Sequence, residues 1–202
     1  MQNNKTLRIL LVVVGCIIFN WVFNSLHKTS SLHARQNFFN QAIVDQTKEI
    51  GLHPNNAADY RSRGMSYLSR SATVSGIDAT TDLNKAINDF TKAIELDPND
   101  VYAYSFRADG YDGLAAISLK QSDSIKQNAL VQGYFIRAIA DYTDAINLKP
   151  DDSAIYFKRS IIYLSMKDYD SAWKDIHKAQ ELGAKISPLI LDGLKKASGR
   201  EN

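Results

Sequence analysis

One helix is written four times in this chain. Ala42-Ile43-Val44-Asp45-Gln46-Thr47-Lys48 repeats as Ala86-Ile87-Asn88-Asp89-Phe90-Thr91-Lys92. It returns as Ala138-Ile139-Ala140-Asp141-Tyr142-Thr143-Asp144 and again as Ala172-Trp173-Lys174-Asp175-Ile176-His177-Lys178. The first three copies run on to a proline at one offset, Pro54, Pro98 and Pro150, and the fourth to Gly183-Ala184. Self-similarity at fixed offsets marks a stack of units, each of which needs its neighbour to bury its apolar face.

The helix preceding each later copy is equally regular. Tyr60, Gly64 and Tyr67 recur as Tyr104, Ala108 and Tyr111, then as Tyr156, Ser160 and Tyr163. Offsets of four and three put each trio on one helix face. The copies themselves alternate small and large: Ala86, Phe90, Ala93; Ala138, Tyr142, Ala145; Ala172, Ile176, Ala179. Interdigitating helix layers need this alternation.

The order Tyr60, Gly64, Tyr67, Ala86, Phe90, Ala93, Pro98 resembles the tetratricopeptide repeat (TPR). The resemblance implies an all-α TPR helical solenoid over 32–199. It comprises a preceding half unit, three helix pairs at about 57–100, 101–152 and 153–186, and a capping helix at 188–197. Against the third unit, the first two carry insertions of 10 and 18 residues between their helices. The first insertion, Ser-rich and holding Gly76, reads as a loop, with Thr81 or Asp82 starting the next helix. The second reads as two lengthened helices. Leu114, Ala115 and Ser118 continue one stripe, Val131, Tyr134 and Phe135 the other, and Ser124 with Gln127 fits a capping box. Ser187-Pro188 starts the last helix, with Leu189, Ile190, Leu191 and Leu194 expected inward.

The first 31 residues have another character. Residues 7–23 read LRILLVVVGCIIFNWVF, interrupted by Arg8 and Asn20. A spanning helix takes about 20 mostly apolar residues. Residues 1–24 are therefore expected to be an N-terminal transmembrane anchor and 25–31 a linker, in a single-pass protein of a bacterial cell membrane. No small-residue cleavage site follows Phe23, although a cleaved secretory signal remains an alternative. Val13-Val14-Gly15-Cys16 resembles a lipobox, which would make a lipoprotein, but the residues after Cys16 stay apolar.

The rest of the chain narrows function by what it lacks. A net charge of +2 with 23% charged residues gives no nucleic-acid signal. His27, His33, His53 and His177 have no metal-ligand spacing, and there is no phosphate loop or nucleophile elbow, so no cofactor, metal or catalytic residue is expected. The acidic turns Asp97-Pro98-Asn99-Asp100 and Pro150-Asp151-Asp152 read as caps and not calcium loops. Gly110 and Gly113 sit inside a helix, where close packing is the simplest cause.

TPR stacks bind an extended peptide or helix on a concave face lined by the first helix of each pair. The resemblance places Arg61, Met65, Tyr102, Ser105, Asp109, Phe157 and Ile161 in that groove, with Leu68, Asp112 and Leu164 beside them. The expected function is a membrane-tethered scaffold for a protein or peptide partner, with self-association into homo-oligomers as the alternative. The carboxylate clamp of chaperone-tail binders does not carry over. Arg61 and Lys158 could serve it, but Met65, Phe106 and Ala154 replace its asparagines and a lysine.

Overall fold

Asn56, Asp152 and Asp168 each stand one residue before a helix, and each side chain accepts a hydrogen bond from a backbone N–H of the first turn. Asp100 does the same, accepting from Tyr102 N and Ala103 N at 3.1 Å. These caps satisfy donors that a helix start leaves unpaired. The acidic turns are thus used as caps.

The computed structural model describes residues 31–74, 76–121 and 125–199. These form eight helices and no strand: α1 (31–52), α2 (Ala57–Ser71), α3 (Ile77–Leu96), α4 (Val101–Gln121), α5 (Ile125–Leu148), α6 (Ser153–Ser165), α7 (Tyr169–Glu181) and α8 (Pro188–Ser198). Helices α2 with α3, α4 with α5 and α6 with α7 pack as pairs, and α3–α4 and α5–α6 contacts join the pairs in sequence order.

The small–large–small stripes form the seams. Phe90 is fully buried, and a Cβ added to Gly64 would lie 2.7 Å from its ring. Cβ atoms at Gly110 and Gly113 would come within 2.9 Å of Ile87 and Leu83 on α3. Close packing is therefore what these two helical glycines serve. Gly64→Ala would gain about 1 kcal/mol of helix propensity. It would nevertheless lose a net 1–3 kcal/mol or so, because the buried Phe90 ring has nowhere to go. A lower midpoint in denaturant, at unchanged slope, is the expected result.

A polar ladder runs beside these seams. Arg63 donates from Nε and Nη2 to the two carboxylate oxygens of Asp89 at 2.8 and 2.7 Å. Arg107 holds Asp141 at 2.9 and 2.7 Å, and Arg159 holds Asp175 at 2.7 and 2.8 Å, in the same fork geometry. Each arginine also donates to a threonine on the helix that precedes its own: Thr47, Thr91 and Thr143. Each threonine hydroxyl in turn donates to a carbonyl one turn back, on Ile43, Ile87 and Ile139. Every rung thus ties three helices. Burial pushes the Asp141 carboxyl above its ordinary range, and the Arg107 pair pulls it back only in part.

Three expectations are corrected. Helix α3 starts at Ile77, so most of the first insertion is helical. Arg70 grips Asp82 through both carboxylate oxygens, and Thr80 Oγ1 bonds the Gly76 carbonyl, which stabilises a first turn that local composition disfavours. On α8, Leu194 is buried but Leu189 is 81% exposed, because helical rotation carries it away from Ile190, Leu191 and Leu194. The expected single-pass membrane location is also overturned. No helix among the described residues is long and apolar enough to cross a membrane. The long helices carry charge within their turns: Arg107, Asp109 and Asp112 on α4, and Arg137, Asp141 and Asp144 on α5. Residues 7–23 and Cys16, which prompted the anchor, signal and lipobox readings, lie outside the described residues, as does the capping residue Ser124.

Candidate functional site

Helices α2, α4 and α6 begin at equivalent points of successive units, so their outward stripes come side by side. On α4 the stripe is Tyr102, Phe106 and Asp109, spaced by four and three. Tyr102 and Phe106 stack at 6.3 Å between centroids, and Phe106 rests on the buried ring of Phe90 at 5.8 Å. The pair is flanked by two cations. The Arg61 guanidinium of α2 lies 5.9 Å from the Tyr102 centroid, and the Lys158 ammonium of α6 lies 5.7 Å from that of Phe106.

Both cations are already engaged. Arg61 Nη1 donates to both oxygens of Asp100 at 2.8 and 2.7 Å. That carboxylate caps α4, so one residue fastens α2 to the start of the next unit. Lys158 Nζ donates to Asp109 at 2.7 Å, and the Tyr142 hydroxyl donates to its other oxygen at 2.6 Å. Burial first, and the Asp109 charge second, hold the Tyr142 phenol far above its ordinary range, so it remains a donor.

Of the seven residues expected in the groove, Tyr102 and Met65 are 51% and 41% exposed, and Phe157 and Ile161 of α6 are half-buried. Arg61 and Asp109 stand in this face as bridges between units. Ser105 is 5% exposed and turned inward. The structure adds Phe106, Lys158 and Asp100 as parts of the same run.

Asp112 lies one turn beyond Asp109. It is half-buried and makes no hydrogen bond or ion pair among the described residues. Its carboxyl is pushed above the ordinary aspartate range, chiefly by burial and then by the Asp109 charge. A carboxyl raised in the folded state stabilises the fold when protonated and costs stability as pH rises through its folded pKa. Asp112→Asn should therefore raise stability at pH 7 by a modest amount, on the order of 0.5 kcal/mol. Urea melts across pH should show that gain shrinking on acidification and vanishing near about pH 3, where the parent carboxyl is protonated in both states.

Among the described residues no group of three histidine, cysteine or acidic side chains could hold a metal ion.

Comparison with known proteins agrees with this geometry. The tetratricopeptide-repeat family profile matches residues 78–100. A thermophilic TPR protein of Thermus thermophilus superposes with a TM-score of 0.57 at 16% identity, over 79% of this chain and 72% of that one. The protein MamA superposes with a TM-score of 0.56 at 20% identity, over 81% of this chain and 75% of that one. No curated protein matches the chain. The described residues form an all-helical, TPR-like solenoid, and residues 78–100 match the tetratricopeptide-repeat profile.

Proposed function

We propose that this solenoid is a scaffold that holds an extended protein or peptide partner along the face built by α2, α4 and α6. The observation that carries the reading is the run Met65, Tyr102, Phe106 and Ile161. It places part-exposed apolar and aromatic side chains from three successive units on one face. Rigid aromatic and aliphatic groups of this kind anchor partners at low entropic cost. The charges on the face support the same choice. Arg61 and Lys158 are neutralised by Asp100 and Asp109, so neither is free to clamp a terminal carboxylate. Asp112 is left to meet a basic group of the partner.

Tyr102→Ala combined with Ile161→Ser should weaken partner binding at least about tenfold, as truncating central anchors does. The melting curve should change little, because both side chains are partly exposed. Ile136→Ser, on the far side of α5 from its buried stripe, is the matched control. Equal binding by the double variant and the control would refute the reading. A dimer that dissociates in the double variant would favour self-association instead.

A further inference from the structure

Each ladder aspartate of the three pairs is held by an arginine on the first helix of its own pair: Asp89 by Arg63, Asp141 by Arg107 and Asp175 by Arg159. Asp45 holds the same place in the earliest copy of the repeated helix, since it follows Ala42 as Asp89 follows Ala86. It is exposed, and among the described residues it accepts only from Gln41 Nε2, at 3.0 Å. Thr47, on another side of α1, is already bonded to Arg63 of α2. Asp45 therefore marks the side of α1 that the repeat pairs with a first helix. Leu52, seven residues on, shares that side, and Lys48 borders it; both are exposed, and Ile43 is buried opposite.

The far end of the stack offers the converse. Helix α8 follows α7 as α2, α4 and α6 follow α1, α3 and α5, and it buries Leu194 against Trp173 and Ile176. Its outer stripe is Leu189, Gly193 and Lys196, with the offsets of four and three that space Tyr60, Gly64 and Tyr67. In the first pair, Gly64 lies against the Phe90 ring of the second helix, whereas a Cβ added at Gly193 would meet nothing within 4 Å. Leu189, Asp192 and Lys196 are exposed, and neither charge forms an ion pair among the described residues.

The existing pairs supply the register. Arg63 meets Asp89 and Arg70 meets Asp82, so seven residues forward on the first helix run seven back on the second. With Lys196 set beside Asp45 in that antiparallel register, Leu189 comes to Leu52 and Asp192 to the level of Lys48. An apolar contact and two pairs of opposite charge fall into place together.

We propose that α8 of one copy packs on α1 of the next, head to tail, and completes a helix pair across two copies of this chain. Lys196 takes the place beside Asp45 that an arginine holds elsewhere in the ladder. The contact is heterologous, so each copy keeps one open end and assembly runs past the dimer, into a ring or an open chain. The face of α2, α4 and α6 takes no part in it.

Sedimentation velocity on the full chain tests this. A helix-on-helix contact is a small interface, so the mean mass should rise with concentration from the micromolar range upward. Leu189→Asp and Leu52→Asp should each be monomeric and melt like the parent, because both leucines are exposed. An equal mixture of the two should form a dimer and nothing larger, since only one sound α8 face and one sound α1 face can meet. Asp45→Lys should weaken association about tenfold, and adding Lys196→Asp should recover most of that loss. A parent that stays monomeric at every concentration, as it would if its own residues 1–30 covered α1, would overturn the proposal. So would assembly that persists in either leucine variant, a mixture that stays monomeric, or a charge swap that recovers nothing. Tyr102→Ala with Ile161→Ser leaves both end faces intact and should assemble as the parent does, which separates this contact from the groove.

Discussion

An Ala138→Glu variant should show no cooperative thermal transition and reduced helical dichroism. Ala138 is fully buried, in the seam where α5 meets α4, among Ala108, Phe135 and Tyr142. A glutamate there finds no cationic partner and no room. Burying an unpaired charge costs several kcal/mol, and a domain this size has only about 5–15 kcal/mol of stability. Because each unit rests on its neighbours, opening the second pair also strips α3 of its contacts with α4 and α6 of its contacts with α5. Ala138→Ser, similar in size and uncharged, should retain a cooperative melt. If the glutamate variant melts like the parent, the small–large–small seam is misassigned.

Arg107→Met should cost about 3–5 kcal/mol at neutral pH, the usual result of leaving one partner of a buried pair unpaired. Asp141 is 4% exposed and loses both fork hydrogen bonds, while Thr91 loses its tie to the next unit. The sign of the pH dependence follows from Asp141. Its carboxyl is already raised by burial, and without Arg107 it rises further. The variant therefore recovers stability as pH falls through that raised value, where the carboxyl takes up a proton and the buried charge disappears. The parent should gain less over the same range, because Arg107 offsets part of the rise. Adding Asp141→Leu to Arg107→Met removes the orphaned charge and should restore much of the loss at pH 7. Denaturant melts from pH 7 to pH 4 on the two variants and the parent measure all of this. A pH-independent deficit in Arg107→Met would mean the rung acts by packing alone.

The stack was legible because its signal is periodic. Ala86, Phe90 and Ala93 announce a seam by themselves, and the copies at 138–145 and 172–179 put it in phase. The long second pair was legible for the same reason. Leu114 and Ser118 extend one stripe and Val131 and Phe135 the other, and all four are buried along α4 and α5. The start of α3 was not legible. Gly76 and Thr80-Thr81 are poor helix residues, and the turn is held by Arg70, which reaches Asp82 from another helix. The polar ladder hides more deeply. Its arginine-to-aspartate separations are 26, 34 and 16 residues, because the helix arms differ in length, so no fixed period reveals it. The constant threonine-to-arginine offset of 16 residues was the available clue. In the candidate groove, Tyr102 and Met65 were readable as outward positions. That Arg61 and Lys158 would be consumed by Asp100 and Asp109 was not, since both pairings join residues of different units.

The central claim is that the α2–α4–α6 face is where a partner lies. The most direct measurement places a photo-crosslinking amino acid at Tyr102 and, separately, at Ile136, in the full chain expressed in its own cells. The account predicts a discrete crosslinked species from position 102 that is absent from position 136 and is lost when Ile161→Ser is added. Crosslinks of equal yield from both positions, or from position 136 alone, would contradict it.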